Sequence, residues 1–272
     1  MNPFSGKKEG LKNGKAGNMI VAVINNKGGT GKTTSAVNLA AALVMKGNRT
    51  LLVDLDSQAS ASLSMGIDRA DFSPSIADAV LDGKPPKTVI RKTDIEDLDL
   101  ITGSPDLVNA DLVLANAPGR EKRLKAAIAP VRSEYDFIIL DCPPSLSMLS
   151  VNAMVAADAF IIPTTPEYLA LEGLVGLMDA VEKINEGIGD KCRLLGILLT
   201  KVDHRRKVTE EIVGVIRGHY RDQVFKTEVG VDVRLIEAPS FGKTIFQYDR
   251  RSTGADAYLQ LAGEVIRKGR KT

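Results

Sequence analysis

Two kinds of segment alternate along the chain. Short, nearly continuous apolar runs occur at Met19–Asn25 (MIVAVIN), Thr50–Leu55 (TLLVDL), Leu98–Thr102, Phe137–Leu140 (FIIL), Ala159–Pro163 (AFIIP) and Leu194–Thr200 (LLGILLT). A run without polar alternation predicts a strand buried on both faces. Between the runs, apolar residues recur at helical spacing over Thr33–Lys46, Leu169–Asn185, Thr209–Arg217 and Gly254–Arg267, with Gly47 a stop for the first. Strand and helix in alternation predict an α/β fold: a single domain with a mostly parallel, twisted sheet and helices on both faces.

The amino-terminal stretch breaks this pattern. Met1–Asn18 is rich in Gly, Lys and Asn and poor in large apolar residues, which predicts a flexible basic arm ahead of one domain over 19–272. With 272 residues, 44% of them hydrophobic, the chain can bury a substantial core. No apolar run nears the ~20 residues of a membrane span, and Met1–Asn18 lacks a signal peptide's apolar centre. Cys142 and Cys192 stand far apart without metal-ligand spacing, as suits a reducing cytoplasm. Charge is uneven although the net is only +2. Residues 1–18 hold four lysines against one glutamate, and residues 201–272 hold 15 Lys/Arg against 10 Asp/Glu. Basic ends around an acidic middle point to a polyanion partner, nucleic acid or membrane surface, or to ordinary solvated charge.

The candidate chemistry begins at NNKGGTGKTT, Asn25–Thr34. A glycine-rich turn between a buried strand and a helix start aims backbone N–H groups, reinforced by the helix dipole, at an anion. Gly31-Lys32-Thr33 completes a phosphate-loop pattern in which Lys32 reaches the β/γ-phosphates and the Thr33 hydroxyl binds Mg²⁺. Asn26 occupies the place of the usual first glycine, and an additional lysine, Lys27, follows it. A dinucleotide-binding turn fails the count, because Thr34 stands where its last glycine belongs. Asp141, after the four apolar residues of FIIL, has the layout of a Walker B acid in the Mg²⁺ shell. Asp54 and Asp56 end the second strand, two apart and near the phosphate loop. They suit the metal shell and the orientation of an attacking water, or else cap the strand end.

KGGTGKTT, LLVDLDSQAS, FIILDCPPSLS, PTTPEYLALEGL and VRLIEAPSFGKTIFQYDRRSTGADAYLQLAGEV together resemble, in order and spacing from Met19 onward, the ParA/Soj branch of the deviant-Walker-A ATPases. The resemblance implies a P-loop NTPase domain that binds ATP and Mg²⁺. It implies a homodimer with two ATP molecules sandwiched between the chains, and Lys27 crossing to the partner's nucleotide. Residues Lys27, Gly28, Gly29, Thr30, Gly31, Lys32, Thr33 and Thr34 would hold nucleotide; Thr33, Asp54 and Asp141 the metal shell; Lys27, Lys32 and Asp56 the hydrolysis. Pro163–Gly173 resembles a loop and helix start that flank the nucleotide in the dimer. Arg234 matches a position that contributes to DNA binding in Soj-like proteins, with Arg205 or Arg206 in DHRRK as further candidates, the alternative for each being an ordinary exposed arginine. Ser57 and Asn26 depart from residues common in close relatives, which leaves the subfamily open.

The function so implied is an ATP-dependent switch, cytoplasmic and nucleoid-associated. It binds double-stranded DNA non-specifically and partitions chromosome or plasmid, with a ParB-like or other adaptor stimulating a slow ATPase. The same engine could instead position a protein cargo such as a chemoreceptor cluster or microcompartment, the adaptor deciding. A MinD-like membrane switch fits less well, because LAGEVIRKGRKT ends in basic residues with no Phe, Trp or Leu after Leu261. An iron–sulfur reductase of this fold needs cluster-bridging cysteines, for which Cys142 and Cys192 are poorly spaced.

Overall fold

The computed structural model describes residues 18–188 and 192–270; the arm expected over Met1–Asn18 lies, Asn18 apart, outside the described residues. The strands are β1 (Met19–Val23), β2 (Thr50–Asp54), β3 (Ile90–Lys92), β4 (Leu98–Ile101), β5 (Phe137–Asp141), β6 (Ala159–Thr164), β7 (Arg193–Val202) and β8 (Val224–Gly230). They form one sheet in the order β3-β4-β2-β5-β1-β6-β7-β8. Only β3 runs antiparallel to its neighbour among these pairs. The longer helices are α1 (Lys32–Met45), α2 (Met148–Ala156), α3 (Ala170–Ile188), α4 (Lys207–Tyr220) and α5 (Thr253–Gly269).

The continuous apolar runs become strands with two buried faces. On β1, Ile20 and Ala22 join one core with Leu149 of α2, Leu174 of α3 and Ile216 of α4. Met19, Val21 and Val23 join the opposite core with Leu39 of α1 and Leu261 of α5. Successive side chains point to opposite faces, so an unbroken apolar run is what a two-sided core requires. Small residues at Ala36 and Ala40–Ala42, all fully buried, line α1 where it meets this second core. Tyr258 of α5 is also fully buried, and its hydroxyl meets the Ser35 hydroxyl at 3.2 Å. Such an aromatic contributes about 1.5–3 kcal/mol by burial, provided its polar tip is satisfied.

The two outermost strands were not anticipated. In β8 burial is mixed, with Phe225 and Val229 inside and Lys226 and Gly230 outside, and β3 is the short, mostly charged Ile-Arg-Lys. Edge strands keep polar residues toward water, so a search for continuous apolar runs passes over them. Helix α1 does stop at Gly47, whose φ of +82° suits glycine and whose N–H donates to the Val44 carbonyl at 2.8 Å. Parallel pairing sends the carboxyl ends of β1, β2, β5, β6, β7 and β8 to one edge of the sheet, where a ligand crevice belongs in such folds.

Candidate functional site

The loop after β1 is shaped by Gly29 (φ +75°) and Gly31 (φ +84°), left-handed conformations that L side chains adopt only under strain. Gly31 precedes the first residue of α1, so Lys32, Thr33 and Thr34 occupy the helix's first turn, where N–H groups have no partner within the helix. Lys32 is buried and its Nζ donates to the Lys27 carbonyl at 2.9 Å, across the loop. Burial lowers its pKa, and Asp141, Cys142 and Asp56 oppose that shift. The hydroxyl of buried Thr30 also leans toward the Lys27 carbonyl, at 3.4 Å. Gly28 and Gly29 are exposed, while Thr33 and Thr34 are half-buried.

Asp54 and Asp141 are register partners at the ends of β2 and β5, and both are fully buried. Asp54 is held on every side. Its Oδ2 accepts from the Ser62 N–H and hydroxyl, both at 2.8 Å, and its Oδ1 from the Asp56 N–H at 3.1 Å. Burial pushes its pKa up to about 6 against those hydrogen bonds. Gly103 closes the other side: a Cβ there would meet the Asp56 carbonyl oxygen at 2.6 Å and Asp54 Cγ at 2.9 Å. Asp141 is different, because neither of its buried oxygens has a hydrogen-bond partner among the described residues. Burial first and Asp54 second push its pKa well above the carboxylate range, with the nearby Thr33 hydroxyl and Lys32 countering in part. Two buried carboxylates side by side, one unpartnered, need a cation to be stable as anions. Hard oxygen donors beside a phosphate loop suit Mg²⁺, so the residues present fit that ion.

Asp56 is half-buried, accepts the Gln58 N–H at 3.0 Å, and is felt electrostatically at Lys32, Asp54 and Asp141. Lys27 turns away from its own loop and pairs with Glu167 at 2.5 Å, both side chains being exposed. The Asn25 side chain, whose Oδ1 accepts the Lys27 N–H, donates to the Pro163 carbonyl at 2.8 Å. The 163–173 segment is thereby tied to the phosphate loop at two points. The three arginines lie beyond the ends of β7 and β8. Arg205 and Arg206 share Asp203, at 2.7 and 3.5 Å, and Arg234 pairs with Asp249 at 2.6 Å. All three are well exposed, but each shares its charge with a carboxylate.

Sequence reasoning passed over several residues of this site. Ser62 and Gly103 orient Asp54, Glu167 receives Lys27, and Thr200 and Lys201 grip the loop through the Thr30 and Gly29 carbonyls. A cavity of about 190 Å³ beside Gly31 and Thr34 is walled by Val231, Leu235, Ile236 and Tyr258. Glu167 lies in the PTTPEYLALEGL motif; the others carry no local signal.

The strand, glycine loop and helix, with paired acids on the neighbouring strands, define a P-loop ATPase. A protein-family profile described as an AAA domain matches residues 18–194. The chromosome partitioning protein ParA of Myxococcus xanthus is 42% identical over 249 residues, spanning 92% of this chain and 88% of that one. The sporulation initiation inhibitor protein Soj of Bacillus subtilis is 42% identical over 250 residues, 92% of this chain and 99% of its own. Among solved structures, a cobyrinic acid a,c-diamide synthase from Mycobacterium smegmatis with bound ADP and magnesium aligns with a TM-score of 0.80 and 31% identity, covering 92% and 94% of the two chains. The chain belongs to the ParA/Soj family of P-loop ATPases. Among the described residues no helix is long and apolar enough to cross a membrane.

Proposed function

We propose that this protein is an ATP-driven partition switch. Two copies close around ATP, the closed pair binds duplex DNA without sequence preference, and hydrolysis returns it to single chains. The observation that carries this reading is the buried Asp54–Asp141 pair beside a loop bearing two lysines. Such a pair is costly to bury without a function, and beside a phosphate loop it suits a nucleotide-hydrolysing site. The ParA and Soj relatives at 42% identity support partition as the purpose.

The loop amides from Gly28 to Thr34 and the Lys32 ammonium hold the phosphates. Thr33 and Asp141 would hold Mg²⁺, with Asp54 behind them in the outer shell. Magnesium, when bound, offsets phosphate charge and helps align the terminal phosphoryl group for in-line attack. Asp56 orients the attacking water from the loop after β2. The apolar cavity beside Thr34 suits a flat nucleobase. Lys27 leaves Glu167 and reaches the partner's nucleotide, where it offsets charge as an arginine finger does. Arg205, Arg206 and Arg234 of the two copies then present one doubled basic surface, and each added phosphate contact raises affinity in a salt-sensitive way. Hydrolysis is slow alone and stimulated by a ParB-like adaptor, which selects the cargo at the nucleoid.

Sedimentation of Asp56→Ala with and without Mg²⁺-ATP tests the core of this reading. A shift from monomer to dimer with ATP is expected. An unchanged monomer at micromolar concentration counts against it.

A further inference from the structure

Strand β7 ends irregularly. Its pairing with β8 shifts register between Thr200 and Val202, and Lys201, in between, has a φ of +53°. A lysine gains nothing locally from a left-handed conformation, which costs it about 1–2 kcal/mol. Such strain persists where surrounding contacts over-determine it, and bulges beside ligand sites re-aim side chains. Here the turn carries the exposed Lys201 side chain onto the phosphate loop, where its Nζ donates to the Gly29 carbonyl at 2.7 Å. The adjacent Thr200 hydroxyl donates to the Thr30 carbonyl at 2.8 Å, and its side chain lies 3.7 Å from where a Gly31 Cβ would stand. Two consecutive residues of β7 thus grip two consecutive carbonyls of the loop. Lys201 also helps to lower the Glu167 pKa, so its charge is felt at the carboxylate that pairs with Lys27. Together with Thr200, Gly31 and Thr34 it borders the apolar cavity.

We propose that Lys201 is a positioning residue for nucleotide binding: it turns the Gly29 carbonyl outward, thereby fixes the loop amides that face the phosphates, and adds a third ammonium to Lys27 and Lys32. This assignment rests on the loop being the nucleotide site. A carbonyl held from behind cannot rotate inward toward the phosphates, so the amide array is formed before ligand arrives. That preorganisation favours ADP and ATP alike. It should therefore act on affinity more than on the chemical step.

The test measures ADP and ATP dissociation constants by calorimetry, with steady-state ATPase and thermal unfolding, for the wild type and three variants of the full chain. Lys201→Met keeps the aliphatic stem and loses the donor. Lys201→Gly loses the donor but relieves the left-handed strain, so it should unfold no earlier than the wild type. Lys201→Arg retains a charged donor. Both Lys201→Met and Lys201→Gly should bind ADP about tenfold more weakly, as expected for a lost charge-assisted hydrogen bond. KM should rise in step, with kcat changed by less than about twofold, and Lys201→Arg should recover most of the affinity. Wild-type affinity for ADP in Lys201→Met or Lys201→Gly overturns the proposal while leaving the partition reading intact. So does a loss of affinity in Lys201→Gly that is matched by earlier unfolding and not recovered by Arg. A wild type that binds no nucleotide overturns both.

Discussion

The Lys27 ammonium lies 2.5 Å from the Glu167 carboxylate, joining the phosphate loop to a segment 140 residues away. Both side chains are more than half exposed, and exposed ion pairs contribute about 0–1 kcal/mol. The contact holds the Lys27 side chain clear of its own loop yet costs little to break, which is what the proposed reach to a second chain would need. Lys27→Ala should bind ATP through Lys32 and the loop amides but neither dimerise nor remain on DNA. Asp56→Ala should dimerise and accumulate on DNA, if it loses only the group proposed to orient water. Retention on a DNA-coated surface in ATP, beside a nucleotide titration, separates the two. Should Lys27→Ala persist on DNA as Asp56→Ala does, Lys27 has no part in assembly. Glu167→Gln frees the lysine and should lower the concentration needed for the ATP dimer by up to about fivefold.

Asp141 sets function against stability. Its buried carboxyl group has no hydrogen-bond partner among the described residues and lies beside Asp54, so Asp141→Asn removes the cost of ionising it there or of holding it protonated. Without nucleotide the variant should melt about 2–4 °C higher for each kcal/mol relieved. ATPase activity should fall at least about a hundredfold. Calorimetry of the nucleotide-free protein decides: a lower melting temperature would mean that Asp141 stabilises the fold.

Arg234 should serve DNA and leave ATP chemistry alone. Its guanidinium meets Asp249 at 2.6 Å and Asp232 at 3.8 Å, outside the phosphate loop. Glutamate there would repel both acids and any phosphate. Arg234→Glu should weaken ATP-dependent binding to any duplex and flatten its salt dependence, with ATPase near normal in the absence of DNA. Normal DNA affinity combined with lost hydrolysis would refute the assignment.

His204 supplies a pH dependence. Glu210 lies 2.6 Å from Nδ1 and Glu228 2.8 Å from Nε2, so both ring nitrogens must donate and the ring is favoured as imidazolium. Its pKa is raised above the usual 6.5, first by Glu210 and then by Glu228, whose other oxygen takes Arg217. A raised histidine pKa stabilises the fold fully below the unfolded value, and the benefit is lost as pH rises through the folded value. The wild type should therefore unfold later than His204→Gln at about pH 6, with the gap narrowing by about pH 8. An NMR titration of the ring with a midpoint at or below 6.5 would contradict this.

What could be read along the chain were features whose physical basis is itself local. A two-sided strand demands an unbroken apolar run, and Met19–Val23 and Phe137–Asp141 were legible for that reason. A phosphate loop is a backbone shape built from adjacent residues, so Gly31, Lys32 and Thr33 were legible from their spacing after a buried strand. Tertiary structure decided the rest. The polar edge strands β3 and β8 gain their place from pairing with a neighbour, not from their own pattern. Ser62 and Lys201 carry no signal, and Glu167 no specific partner, until the strand order brings the carboxyl ends of β2, β6 and β7 around the end of β1. The same packing makes Asp54 and Asp141 neighbours and removes them from water, which turns two ordinary strand-end acids into a pair that needs a cation.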